Sequence, residues 1–328
     1  MPSMNCMKRL KKRSTMHFMQ QLPEQFFYDT GNVEMNNDKT TDAASLPAPA
    51  SWIGPAAFAL LAFAANSIFC RLALVHGDID PHSFTAVRLL SGALFLFGLV
   101  RLRQPGKALG GSWKGGLALF LYAWLFSIAY VQLGAGVGAL ILFGAVQITM
   151  FASAWLKGDR VEARVLAGML IAFAGLVALL LPGANAPAPL SASFMVVSGI
   201  AWGAYSLIGK GSANPLADTA GNFLRSVPLL LIPALIAWPS GQLHANGHGL
   251  LYALASGMLA SGAGYAVWYG VLKQISAQQA ATLQLSVPVI AALAAVLLLS
   301  EPLSLRLALI SAVVLGGVGM ALGGRRRP

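Results

Sequence analysis

Charge is scarce in this chain. Asp, Glu, Lys and Arg together make up 10% of its 328 residues, against about 25% in an ordinary globular domain. So few ions do not cover a soluble surface, which argues against a soluble protein. Cysteine is scarcer still: Cys6 and Cys70 stand alone, with no Cys-x-x-Cys or metal-ligand spacing. Neither a disulfide framework nor a zinc site is supported. The five histidines (His17, His76, His82, His244 and His248) all fall in polar segments. The chain shows no His/Asp/Glu cluster and no Gly-x-Ser-x-Gly, so a membrane enzyme has nothing to work with. No catalytic residue, metal or cofactor is expected.

What is abundant is apolar sequence, 57% of the chain. From Ser51 on, apolar runs of membrane length alternate with short polar breaks. A bilayer core of about 30 Å needs about 20 helical residues per crossing. Lipid offers no partner to unpaired backbone groups, so each crossing must be a helix. Ten spans are predicted: 55–75, 84–102, 115–134, 137–156, 164–182, 192–210, 217–238, 249–271, 278–299 and 303–323. Residues 1–50 are polar and lack a signal-peptide core; they read as a disordered cytoplasmic tail. Met35 could also serve as the start, with a tail-like stretch after it.

One motif competes with this picture. GAGVGA (134–139) spells Gly-x-Gly-x-x-Ala, a dinucleotide fingerprint, with Asp159 twenty residues on. That fingerprint needs a strand before it and a soluble helix after it. Here both flanks are of membrane length. The motif is therefore an outer hairpin between spans three and four, and Asp159 lies across the bilayer from it.

The basic residues orient the spans. With the N-terminus inside, the inner segments hold Arg101, Arg103, Lys107, Lys114, Lys157, Arg160, Arg164, Lys210, Lys273 and the Arg325–Arg327 tail. Of the outer connections only the last holds a cation, Arg306. Lys and Arg resist translocation, so both termini are expected in the cytoplasm, with the chain multi-pass in a bacterial inner membrane. The net charge of +11 is thus a topology signal. Its basic clusters flank spans, which disfavours nucleic acid as a partner. The expected partners are the lipid bilayer and a small organic solute, with the protein a monomer or homodimer.

The chain also repeats itself. Asp159 and Glu301, Arg164 and Arg306, and Gly175 and Gly317 are all 142 residues apart. NSIFCR (66–71) resembles YSLIGK (205–210), and Arg88 in FTAVRLLSGAL matches Arg225 in GNFLRSVPLL. Residues 51–183 and 192–323 are read as two copies of a five-helix unit, followed by a basic cytoplasmic tail at 324–328. Because five is odd, the second copy is inserted upside down. Such inverted repeats mark secondary transporters, with the solute site between the halves. The expected fold is all-α, polytopic, with ten transmembrane helices as two inverted five-helix repeats.

These residues resemble the EamA group of the drug/metabolite transporter superfamily: the arginine early in each second span, the acid before each fifth span, and the later glycine. PVIAALAAVLLLSE (288–301) adds a proline leading to the acid. The first copy departs from this, with Val146 and Gln147 there and no proline. The resemblance covers about 50–323. It implies a secondary carrier, usually an exporter, of a small metabolite such as an amino acid, working by alternating access. A non-transporting receptor or assembly factor on the same fold is the alternative.

The cavity candidates follow from where polar and aromatic groups sit. No Asp or Glu lies in mid-span, which disfavours proton coupling through a buried carboxylate. Arg88 and Arg225 either play a shared architectural role or attract a carboxylate. Asn66, Trp124, Tyr130 and Gln147 in the first copy, and Trp202, Tyr205, Tyr265 and Gln284 in the second, complete the substrate-cavity set. Gln147 and Gln284 are the polar residues deepest in apolar runs; a lone Gln of this kind commonly bonds a neighbouring helix. Asp159, Glu301 and Pro288 are assigned structural-turn roles.

Overall fold

The computed structural model describes residues 51–133, 135–158, 162–180, 189–239, 241, 243–299 and 305–322. The readings placed on residues 1–50, Gly134, Asp159, Glu301 and 324–328 lie outside these. The described residues form ten helical segments: α1 (Ile53–Val75), α2 (Pro81–Arg103), α3 (Trp113–Gln132), α4 (Ala135–Leu156), α5 (Ala163–Leu180), α6 (Pro189–Lys210), α7 (Pro215–Ala237), α8 (Gly247–Leu272), α9 (Ala277–Leu299) and α10 (Leu305–Leu322). Among them there is no strand, only the isolated antiparallel bridge between Ile79 and Ala245. Six helices, α1, α2, α3, α6, α7 and α8, are long and apolar enough to cross a membrane. Shorter apolar stretches lie within α4, α5 and α10.

The caps of α2 and α7 explain why these two helices begin earlier than hydropathy alone predicts. Asp80 caps α2, accepting from the backbone N–H of His82 and Ser83 at 2.9 and 3.0 Å, and Pro81 follows it. Asn214 caps α7, accepting from the Ala217 N–H, and Pro215 follows. A polar cap followed by proline is a strong start signal, because the missing proline N–H would be unpaired there anyway. Apolar length cannot see these polar caps, so α2 and α7 each begin a few residues before the predicted span. Arg88 and Arg225 consequently sit deeper in their helices than the sequence suggested.

Three helices are irregular. α7 passes through a 3-10 turn at Pro228–Leu230, where a proline removes a helical donor. α8 contains a π-helical stretch, Ser256–Ala263. α9 is divided into Ala277–Gln284 and Ser286–Leu299 at Leu285. Pro288 has no N–H to give the Gln284 carbonyl, four residues back, which accounts for that break. By contrast α4 runs unbroken through Val146 and Gln147, as the absent proline allows.

The molecule exposes large apolar side chains and buries a set of polar ones within its core. Thr85, Arg88, Ser127, Ser206, Asn222 and Gln284 are fully buried. Leu94, Trp155, Leu156, Leu235 and Trp238 are each more than 70% exposed. Water would penalise such an exterior; a lipid solvent removes the penalty on exposed leucine and leaves polar groups to pair internally. α5 packs along α10, α3 and α4 pack on α6, and α8 and α9 pack on α1. α2 lies between α7 and α8, and α7 also packs on α3.

Candidate functional site

Arg88 is at the centre of the buried polar network. It lies two turns into α2 and is wholly inaccessible. Its Nε donates to Ser261 Oγ at 2.9 Å, and Nη2 donates to the hydroxyls of Tyr265 and Tyr122 at 2.5 and 3.4 Å. The guanidinium also faces aromatic rings, with Cζ 5.2 Å from the Tyr122 centroid and 5.9 Å from that of Phe126. Ser261 belongs to the π stretch of α8 and Tyr265 lies just past it; π segments often stand at functional sites. Gly257 lets α8 lie this close to α2, since a Cβ there would meet Ser91 Oγ and the Arg88 carbonyl. The remaining nitrogen, Nη1, has no partner, and hydroxyls bring no formal charge to balance the cation. Among the described residues, the carboxylates Asp78, Asp80, Glu162 and Asp218 lie at helix ends and none bonds Arg88. A lone charge within a membrane core costs at least about 2.5–3.5 kcal/mol, so this arginine is an unbalanced feature of the interior.

Rings pack around it. Trp202 meets Tyr265 at 4.7 Å, Tyr122 at 4.8 Å and Phe63 at 5.2 Å between centroids. Tyr205 stacks on Trp202 at 5.6 Å and packs on Tyr269 at 4.8 Å. A cavity opens beside this cluster, walled by Phe63, Tyr122, Phe126, Leu142 and Phe143 from the first five helices and by Trp202 and Val287 from the last five. Ser67 adds a hydroxyl. The cavity is small, about 20 Å³. That is room for about one water, so a solute must part the rings to enter.

The other predicted residues divide. Trp202 Nε1 donates to Gln284 Oε1 at 2.5 Å, which joins α6 to α9 inside the cluster. Gln284 Nε2 is held by the Ala280 carbonyl. Gln147 Nε2 donates to the Ala281 carbonyl at 2.9 Å, tying α4 to α9, while its Oε1 has no partner. Asn66 Oδ1 accepts from Ser256 Oγ at 2.6 Å and so holds the π stretch against α1. Tyr205 is buried, and its carbonyl accepts from Tyr269. Tyr130 packs on Phe126 at 4.4 Å, at the edge of the cavity wall. Trp124 stands apart: its indole N–H donates to His82 Nδ1 and its ring stacks on Phe120.

Arg225 also stands apart. It is half-buried, and its Nη1 donates to the carbonyls of Gly110 and Gly221 at 2.6 and 3.0 Å. The two arginines thus have different surroundings despite their matching positions. Tyr122, Phe126, Phe63 and Ser261 went unselected in the sequence. Tyr122 was findable, since it lies as deep in its span as Trp202 does in its own. Ser261 gave no signal beyond a small-residue pattern, because a π turn leaves no periodic mark.

Two polar clasps close the bundle at opposite ends. At one, Asp80 Oδ2 accepts from the His244 backbone N–H at 2.9 Å, and the Asp80 N–H donates to the His244 carbonyl. Asn246 Nδ2 donates to Asp78 Oδ1 at 2.6 Å. Burial alone would raise the Asp80 carboxyl's pKa, but donors from Ser83, His244 and His82 outweigh it and hold it below the ordinary value. At the other end Asp218 Oδ1 accepts from the Gly111 N–H at 2.8 Å and Asn222 Oδ1 from the Ser112 N–H at 2.8 Å. Gln104 and Asn214 exchange side-chain hydrogen bonds there, and Arg225 seals the Gly110 carbonyl.

An apolar exterior and membrane-length helices define a multi-pass membrane protein. The profile of the EamA-like transporter family matches residues 189–323. An uncharacterized protein of Pseudomonas aeruginosa is 53% identical over 268 residues, 81% of this chain and 93% of that protein. An uncharacterized transporter of Archaeoglobus fulgidus is 29% identical over 204 residues, 60% of this chain and 71% of that protein. A solved crystal structure of a protein shares the fold, with a TM-score of 0.66 at 22% identity over 81% of this chain and 98% of that one. The chain belongs to the EamA-like transporter family, a family of membrane transporters of the drug/metabolite kind.

Proposed function

We propose that the chain is a secondary transporter that exports a small organic metabolite, such as an amino acid, by alternating access between two inverted five-helix repeats. The observation that carries this is the cavity, walled by both halves and flanked by a polar clasp at each end of the bundle. The helix pairings support the repeat. Exchanging α1–α5 with α6–α10 turns the α3–α6 contact into α8–α1, α4–α6 into α9–α1, and α2–α8 into α7–α3, all of which occur. The pairs α5–α10, α2–α7 and α4–α9 map onto themselves. The clasps exchange as well, since each joins the start of a second helix of one half to the loop after the second helix of the other. With basic loops inside, both termini are cytoplasmic in the inner membrane and the Asp80–His244 clasp faces outward.

Alternating access requires each clasp to open in turn. Cysteine pairs at Asp78 with Asn246, and at Gln104 with Asn214, place a cross-link across one clasp each. Either cross-link is expected to stop solute flux in proteoliposomes, and reduction to restore it. Full flux with one end cross-linked would contradict the mechanism.

A further inference from the structure

Resting on that transport reading, we infer that the solute is a small organic monoanion, with a carboxylate that meets Arg88 and an apolar body that lies among the rings. The argument begins from an imbalance of charge. Arg88 is fully buried and Nη1 has no partner. Its three other contacts are neutral hydroxyls. A planar guanidinium with an unpartnered nitrogen is well matched to a carboxylate oxygen. The two rings beneath the guanidinium, Tyr122 and Phe126, are also walls of the cavity. A carboxylate entering that cavity meets the rings that Arg88, a fully buried cation, lies over.

The rest of the wall fixes the other half of the solute. Phe63, Phe143, Leu142 and Val287 offer no donor or acceptor, so the body facing them is apolar. The sign of the net charge follows from what the site lacks. None of the carboxylates Asp78, Asp80, Asp218 and Glu162 bonds Arg88, and no Asp or Glu lies in the middle of any predicted span. An ammonium group brought in beside Arg88 would meet a like charge and no counter-ion. The site therefore prefers a plain carboxylate over the corresponding zwitterion, and both over a cation.

The test uses four probes that share a phenyl body: 3-phenylpropionate, phenylalanine, 3-phenylpropanamide and phenethylamine. Binding to the purified full chain is read as thermal stabilisation in detergent, and transport as counterflow in proteoliposomes. The wild type is expected to bind the carboxylate at least about 10-fold more tightly than the amide, the ratio that a charge-assisted hydrogen bond supplies. The zwitterion falls between, and the amine gives no stabilisation. In Arg88→Gln the carboxylate-to-amide ratio falls to near one, whereas Arg88→Lys keeps most of it. A ratio within one protein is indifferent to expression level. Should Arg88→Gln not fold, Tyr122→Phe and Ser261→Ala, which each remove one bond orienting the guanidinium, are expected to lower the same ratio severalfold. Preference for the zwitterion, amide or amine, or a ratio unmoved in Arg88→Gln, overturns the inference while leaving the transport reading standing. A wild type that binds and moves none of the four, nor any member of a wider metabolite panel, overturns both.

Discussion

Asp80→Asn separates two jobs that one carboxylate performs. Oδ1 accepts the two N–H groups that start α2, and Oδ2 accepts the His244 N–H across the clasp. An asparagine oxygen in the Oδ1 position keeps the cap, but its NH2 then faces the His244 N–H, donor against donor. The cap, worth about 1 kcal/mol, survives. The bond to His244, a hydrogen bond to a charged group worth about 1.5–3 kcal/mol, is lost. The equilibrium for opening that end should therefore shift by at least about 10-fold. Ile79, 2% exposed between Asp78 and Asp80, is a natural reporter: Ile79→Cys in a chain lacking Cys6 and Cys70 is buried while the clasp is shut. Labelling by a membrane-impermeant maleimide should be about 10-fold faster with Asp80→Asn than without it, and Asp80→Ala should add a loss of thermal stability. Equal labelling rates in the two backgrounds would refute the reasoning.

Acid should act in the same direction. The folded carboxyl of Asp80 lies below its ordinary value, and an unfolded Asp titrates near about 3.9. Its contribution is therefore complete above about pH 5 and is lost as pH falls through about 4 and lower, a loss that Asp80→Asn abolishes in a melting series. Gln284→Leu leaves the buried Trp202 indole N–H without its acceptor, and should cost about 1–3 kcal/mol in unfolding free energy; Gln284→Glu, which retains an acceptor oxygen, restores part of it only where the acid is protonated. Gly257→Val pushes a side chain against Ser91 and the Arg88 carbonyl, and is expected to lower stability by about 1–3 kcal/mol or more, read by the melting temperature of the purified chain. Arg225→Gln loses donors to Gly110 and Gly221 and should lower stability while leaving the carboxylate-to-amide ratio unchanged.

Much of the architecture was legible because a bilayer imposes one period and one length. Ten apolar runs became ten helical segments, and among the misjudged starts are those where Asp80 and Asn214 extend a helix into polar sequence that hydropathy discounts. α9 divides three residues before Pro288, whose missing N–H leaves the Gln284 carbonyl without its helical donor. The site was less legible. Trp202, Tyr205, Tyr265 and Gln284 stood out as polar or aromatic groups deep in apolar runs, and they do lie together with Arg88. Tyr122 met the same depth criterion and was passed over. Arg225 and Trp124 were grouped with Arg88 on position along a span, which says nothing about direction around a helix. Arg225 turns to the Gly110 loop and Trp124 to His82. The π stretch of α8 has no sequence period to betray it, so Ser261 emerged only from the packed helices.

Counterflow in proteoliposomes, run on wild type, Arg88→Gln and Arg225→Gln at matched amounts of folded protein, decides whether this cavity is a transport site. The wild type should exchange a labelled carboxylate solute at a saturable rate, Arg225→Gln should retain that exchange, and Arg88→Gln should lose it. Saturable binding with no exchange above empty liposomes would contradict transport, and undiminished exchange in Arg88→Gln would remove Arg88 from the solute's path.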